Sequence, residues 1–274
     1  MNIGGQAVME GVMLKSEKKI ATAVRILKTS KIKVKVQKVK KVPKVFKIPL
    51  VRGIYVLIDS FVTGMRALIW SSNLNLEKDE KIKKGEFILT FLISIIVGLG
   101  LFLGAPYLVT KYVVGSKGLW FGLLEGVLRA GLFLGYLGVI SFSKEVKRLF
   151  QYHGAEHKVV NCYEMGKKVN VKNARPYSTI HSRCGTSFIF IVLIISIIVF
   201  SFLTVGWWRI LWKLLLIPVI AGVSYELLKL EDRFKGNFLI SFLIWPGMML
   251  QKITTKEPDN KQLEVAVKAF ENVV

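Results

Sequence analysis

Long apolar runs alternate with strongly basic stretches along this chain, and that alternation predicts its elements. From about Phe87 to about Val109 the sequence FILTFLISIIVGLGLFLGAPYLV carries no charge. It is long enough for a hydrocarbon core, which needs ~20 apolar residues. A second predicted span runs from about Leu119 to about Phe142. It contains Glu125 and Arg129, an acid four residues ahead of a base on one helix face, an order that favours pairing. A third runs from about Thr186 to about Val205. A fourth runs from about Leu211 to Leu228, with Pro218 inside and Glu226 near its end. Between the last two, Trp207, Trp208, Arg209 and Trp212 fit an interfacial aromatic belt. The later run FLISFLIWPGMML, from Phe238, is too short to span and reads as re-entrant or interfacial.

Two segments have other periods. In residues 50–72, Arg52, Asp59 and Arg66 recur every seven positions and so fall near one helix face. That predicts an amphipathic helix at the membrane interface, since three charges make a poor span. From Lys31 to Val36, Lys alternates with Ile or Val, the period of a β-strand with one cationic face. That face is either solvated or laid on anionic lipid. The segment GGQAVMEGVM at 4–13 has two glycines that permit a tight turn, with Gln6 and Glu10 beside it. The tail ends in a modestly amphipathic helical pattern, LEVAVKAFENVV.

The expected fold is therefore mainly α and integral to the membrane, with four transmembrane helices and a small β-rich cytoplasmic N-terminal unit. The divisions are a basic β-rich unit at 1–47, an amphipathic helix and linker at 48–85 and a transmembrane hairpin at 86–142. A polar loop at 143–185, a second hairpin at 186–228 and a re-entrant segment with its tail at 229–274 complete the chain.

Charge changes the picture in one respect. Forty Lys and Arg against 18 Asp and Glu give +22. Such a balance suits nucleic acid or an anionic leaflet. The apolar runs favour the leaflet, so anionic membrane lipids are the expected partners and no nucleic acid is expected. Lys and Arg number 19 in residues 1–85, nine in 143–185 and seven in 229–274, but two each in 110–118 and 206–213. The positive-inside bias then puts the N-terminus, the 143–185 loop and the C-terminus in the cytoplasm, in the inner (cytoplasmic) membrane. The first residues lack the basic and apolar regions of a signal peptide. Cys162 and Cys184 make no disulfide framework and are expected as thiols.

The candidate chemistry is concentrated. All three histidines lie between 153 and 181. His153 and His157, in YHGAEHK, are one turn apart if the stretch is helical, and such a pair can share one zinc ion. The order H-x-x-E-H is also that of inverted zincins, in which the Glu activates water. Glu156 would then be the general base. His181 and Cys184, in HSRCGT, add an imidazole and a thiol. Four ligands would close the site as a structural one, and three with an open position would make it catalytic. Zinc is the preferred divalent metal because imidazole and thiolate suit it. Glu226 and Glu231 are further carboxylate candidates. Arg183 is read either as an anion partner or as an interfacial anchor, and Cys162 as a small buried residue.

Five ordered motifs carry a family resemblance: GGQAVMEGVM at 4–13, YHGAEHK at 152–158, HSRCGTSF at 181–188, SYELLK at 224–229 and PGMMLQKITTKEP at 246–258. Together they resemble the YqhQ-like family, classed as domain of unknown function 1385 and described as predicted metal-dependent membrane enzymes. The resemblance implies a multi-pass bacterial membrane protein with a metal site, and neither a substrate nor catalytic residues. The functional expectation is a metal-dependent hydrolase at the cytoplasmic membrane face, acting on a lipid-linked or peptide substrate. Its rivals are a membrane scaffold with a structural metal and a transporter or lipid-moving protein that uses Glu125 and Arg129.

Overall fold

A computed structural model describes residues 3–39, 42–77, 79–115, 118–203, 208–234 and 237–274. Four strands open the chain: β1 (Gly4–Val8), β2 (Gly11–Lys15), β3 (Lys19–Arg25) and β4 (Ile32–Lys38). They form an antiparallel meander in the order β1-β2-β3-β4. The two glycines at 4 and 5 do not make a turn. They lie in β1, and the turn falls at Met9–Glu10, where Glu10 takes a positive φ of 55°. The expected cationic strand is β4, whose Lys33 and Lys35 are exposed. The central strands are covered on both faces. Val12, Leu14, Ala21 and Ala23 belong to one core, and Val8, Met13, Ile20 and Val24 to another.

The first of these cores is built from parts distant in sequence. Helix α1 (Val51–Asn75) closes the second core, on the other face of the sheet, through Ala67, with Trp70 and Leu74 beside it. On the first face lie α5 (Lys144–Glu164), the short α6 (Val171–Ala174) and α10 (Asn260–Val273). Helix α10 starts at a capping box in which Asp259 accepts from the Gln262 amide and Gln262 accepts in return, satisfying two otherwise orphaned donors. Its Leu263, Val265, Ala266 and Ala269 are buried against the sheet and α5. Ser16 Oγ donates to the Val273 carbonyl at 3.0 Å, so both ends of the chain belong to one cap.

The remaining helices form an apolar bundle. A long helix, Gly85–Val114, comprises α2 (Lys84–Leu99), a π-helical turn at Gly100–Gly104 and α3 (Ala105–Val114). It is followed by α4 (Gly118–Ile140), α7 (Gly185–Ser201), α8 (Trp208–Arg233) and α9 (Phe238–Thr254). Small residues let the helices close up. A Cβ on Gly122 would stand 2.3 Å from Ser201 Cα, and one on Gly247 would stand 2.8 Å from Ser187 Cα. The outer faces are bare hydrocarbon: Ile96, Val113 and Val139 are each about 70% exposed.

Among the described residues, four helices are long and apolar enough to cross a membrane: Val51–Asn75, Gly85–Val114, Gly118–Ile140 and Trp208–Leu230. The number matches the sequence expectation, but the membership differs. Helix α7 has 17 residues and falls short of the length for a span, while α1, expected at the interface, is long enough. The expected end of the third span at Val205, and Trp207 of the aromatic belt, lie outside the described residues. Length does not make α1 a span, however. Asp59 pairs with Lys15, Gly64 rests on Gln6, Ser71 Oγ accepts from the Met9 amide at 3.1 Å, and Asn75 Oδ1 accepts from the Leu27 amide at 2.8 Å. The helix thus runs along the sheet from Asp59 to its end. Crossing would drag an open sheet edge into hydrocarbon, where edges are not tolerated. The face away from the sheet, with Ile58 and Phe61 at least half exposed, suits a helix lying in the interface. Single cysteines introduced at Leu50 and Leu76 should therefore react with a membrane-impermeant maleimide from the same side. Labelling from opposite sides would establish α1 as a span.

Candidate metal centre

The site is assembled where α5 meets the chain segment that leads into α7 and the one that leaves α9. Helix α5 begins with Ser143, which accepts from the Val146 amide, and runs unbroken through Gly154. This glycine is required by close approach: a Cβ there would lie 2.1 Å from the Lys256 carbonyl oxygen. The Lys256 amide donates to the Phe150 carbonyl at 2.9 Å, fixing the chain after α9 along α5. On the other side, Asn161 Nδ2 donates to the Ser178 and Ile180 carbonyls at 2.9 and 3.1 Å. Lys158 reaches the Arg175 carbonyl and Glu257, both at 2.7 Å.

These clamps present one backbone carbonyl to each α5 histidine. His153 Nδ1 lies 2.8 Å from the Thr254 oxygen, and His157 Nδ1 lies 2.6 Å from the Thr179 oxygen. A carbonyl can only accept, so each Nδ1 carries the proton and donates it. In the neutral rings both Nε2 atoms are left with a lone pair. Metal-binding histidines are commonly oriented in this way. His153 Nε2 is 3.2 Å from Cys184 Sγ. Cys184 is the N-cap of α7 and accepts from the Thr186 amide. The donor atoms of His153, His157 and Cys184 all lie within 4.8 Å of one another. Two nitrogens and one sulfur bound to a tetrahedral zinc would sit roughly 3.3–3.6 Å apart, so small side-chain adjustments suffice.

Protonation is consistent with this donor set. Burial, with His153 and His181 nearby, holds His157 well below the usual imidazole range, so it is neutral and ligand-ready. Burial pushes the Cys184 thiol up, against the pull of the α7 amides, so a thiolate there needs a cation beside it. Glu156 is buried too. Desolvation, moderated by His153 and increased by Cys184, pushes its carboxyl up to about 8. Its Oε2 has no hydrogen-bond partner among the described residues. Gly5 of β1 allows the close fit, since a Cβ there would stand 2.8 Å from Glu156 Oε1.

His181 occupies a different position from the three clustered donors. Its ring centroid is 5.7 Å from that of His157, and its Nε2 is 3.4 Å from Glu164 Oε2. Gln251 holds the His181 backbone at both ends, accepting from its amide and donating to its carbonyl at 2.9 Å, and also donates to Ser187 Oγ. Arg183 pairs with Glu164. Glu226 is committed to Arg52. The side chain of Glu231 lies outside the described residues. Cys162 is fully buried in the cap core.

The family model described as "Protein of unknown function (DUF1385)" matches residues 48–274. The chain belongs to the DUF1385 family. A Bacillus subtilis (strain 168) protein printed as "Uncharacterized protein YqhQ" is 35% identical over 292 aligned positions, covering 99% of this chain and 92% of that one. The DUF1385 match starts after the sheet, whereas the Bacillus relative spans the sheet as well. No solved structure matches.

In this DUF1385 member the residues that sequence reasoning overlooked are those that act through backbone or at long range: Thr179, Thr254 and Gln251. Thr179 and Thr254 contribute only carbonyl oxygens, which leave no trace in residue type. A paired signal existed for Gln251, a polar residue at the end of an apolar run. Because the fit at Gly154 positions Thr254, Gly154→Ala should destabilise the protein by roughly 1–3 kcal/mol through overpacking. Thermal unfolding in detergent reads this directly. An unchanged midpoint would show that the contact yields without strain.

Proposed function

We propose that this chain is a metal-dependent hydrolase of the cytoplasmic membrane face, with zinc or a similar divalent cation held by His153, His157 and Cys184. The observation that carries this reading is the convergence of three donor atoms whose imidazoles are already oriented by backbone carbonyls. Three protein donors leave room for water or substrate, as in catalytic zinc sites. When bound, the cation would supply Lewis acidity and lower the pKa of a bound water.

The protein's own groups would do the rest. Glu156, adjacent in sequence to His157 and close enough to feel His153 and Cys184, is a carboxyl that burial pushes up to about 8. That range suits a general base which then returns the proton to a leaving group. The Glu164–Arg183 pair and His181 border the same region and would orient an anionic group or provide a further donor. A site between the cap and the N-terminus of α7, at the end of an apolar bundle, suits a lipid-linked or peptide substrate. The basic residues gathered in the cap support a cytoplasmic placement against anionic lipids.

A second reading, a scaffold with a structural metal, draws on the depth of the site: His157 is 2% and Cys184 6% exposed. Elemental mass spectrometry of purified full-length protein separates these readings from no metal at all. About one divalent ion per chain is expected, lost in a folded His153→Ala/His157→Ala variant. Glu156→Gln should keep the metal while lowering hydrolysis of lipid-linked or peptide substrates by about 10²–10⁴-fold. Metal retention with hydrolysis indifferent to Glu156→Gln would favour the scaffold. Absence of a specific metal after reconstitution would remove both.

A further inference from the structure

A second polar cluster lies inside the bundle, away from the histidines. Glu125, buried on α4, receives three cations. Arg129 Nη2 is 2.8 Å from its Oε1, Arg209 Nε is 3.2 Å from its Oε2, and the Lys213 ammonium contacts its Oε1. Glu125 and Lys213 are 0% exposed, Arg209 1% and Arg129 6%. No other acid is available nearby in the chain: Glu125 is the only Asp or Glu from Phe87 to Lys144, and none occurs from Met165 to Tyr225. Glu226, the next along α8, is committed to Arg52. The cluster therefore carries two positive charges more than its carboxylate neutralises.

The surroundings soften this excess without cancelling it. Arg209 donates to the Phe200 carbonyl at 2.8 Å and to that of Leu203, at the end of α7. Arg129 Nε donates to the Phe102 carbonyl at 3.1 Å. Phe102 lies in the π-helical turn, a local widening often found at functional sites. Lys213 faces the rings of Tyr107 and Phe200, and Arg209 that of Phe121. Ring faces attract a cation but bring no formal charge. Unbalanced ionisable groups within an apolar bundle are expensive and mark function.

We propose that this cluster is a binding site for a phosphate-type oxyanion. Arg129 and Lys213 are the cations that would turn from Glu125 to a multi-oxygen anion, while Arg209, already bonded to Glu125 and to the Phe200 and Leu203 carbonyls, adds charge. Glu125 holds the cations together when the anion is away. Arg209 is the second residue of α8, and Glu125 is about 10 Å along α4 from its start at ~1.5 Å per residue. The cluster thus sits toward the bundle end remote from the cap, at a depth that a lipid phosphate or a free anion can reach. This inference is independent of the metal reading.

Two arms of one experiment test the site and its source. Full-length protein in detergent is melted with inorganic phosphate against chloride at equal ionic strength. In parallel it is placed in phosphatidylglycerol or phosphatidylcholine nanodiscs and examined by native mass spectrometry for retained lipid. A saturable rise in midpoint with phosphate assigns a free anion, and selective retention of phosphatidylglycerol assigns a lipid headgroup. Either response should weaken at least about tenfold in Lys213→Met, which removes one charge-assisted contact. Glu125→Gln should bind at least as tightly, because it raises the positive excess. If Lys213→Met does not fold, Arg129→Gln replaces it. Wild-type protein indifferent to both probes, or a response undiminished in the folded variants, would overturn the proposal.

Discussion

The contact between Gly154 and the Lys256 backbone is the constraint on which the cap and its site depend. Only a residue without Cβ lets the chain after α9 lie so close to α5. That approach places the Thr254 carbonyl on His153 and delivers α10 to the sheet. The same chain carries Gln251 to His181 and Ser187, tying the cap to the start of α7, where Cys184 waits. One missing methyl group thus links the apolar core of the cap to the polar geometry beside it. Asn161 and Lys158 perform the corresponding task on the opposite side, so that the carbonyl facing His157 is as firmly placed as the one facing His153.

The molecule handles buried polarity in two ways. In the cap, His153 and His157 face backbone carbonyls and Cys184 accepts from a backbone amide, so the atoms brought together there are electron-pair donors, which suit a cation. In the bundle, three cations surround one carboxylate, and the deficit is of negative charge. Both are costly in a low-dielectric setting unless the missing partner arrives. The two clusters are complementary in the class of ligand they invite, a cation at one and an oxyanion at the other, and they lie at opposite ends of the same bundle. Their separation by apolar helix surface keeps the two fields from cancelling.

Legibility in the sequence varied by element for physical reasons. The helices α2–α3, α4 and α8 were visible because a membrane-crossing segment calls for a long, predominantly apolar run. Of the sheet, only β4 showed the period of two, its lysines lying exposed along an edge strand. Strands β2 and β3 are covered by α1 on one face and by α5 and α10 on the other, so their apolar residues do not alternate. The tight turn expected at Gly4 and Gly5 is instead extended strand. Gly5, like Gly64 and Gly154, answers to a neighbour far along the chain, with Glu156 Oε1 2.8 Å from where its Cβ would stand. Helix α1 reads as interfacial from its three charges, yet it meets the length of a span, and its contacts with Lys15, Gln6 and Met9, which tie it along the sheet, leave no trace in either pattern.

The sequence by itself determined the long apolar helices, the basic character of the cap segments and the clustering of histidines within one polar stretch. Each of these is a property of composition or local spacing, and water, lipid and charge act on them wherever the chain folds. Tertiary structure decided which donors converge: His153, His157 and Cys184 meet, while His181 turns toward Glu164. It also decided that Glu125 is shared among Arg129, Arg209 and Lys213 rather than paired with Arg129 alone. Those outcomes depend on backbone carbonyls and helix contacts between residues up to about a hundred positions apart, and pairings of that range are fixed only when the elements pack.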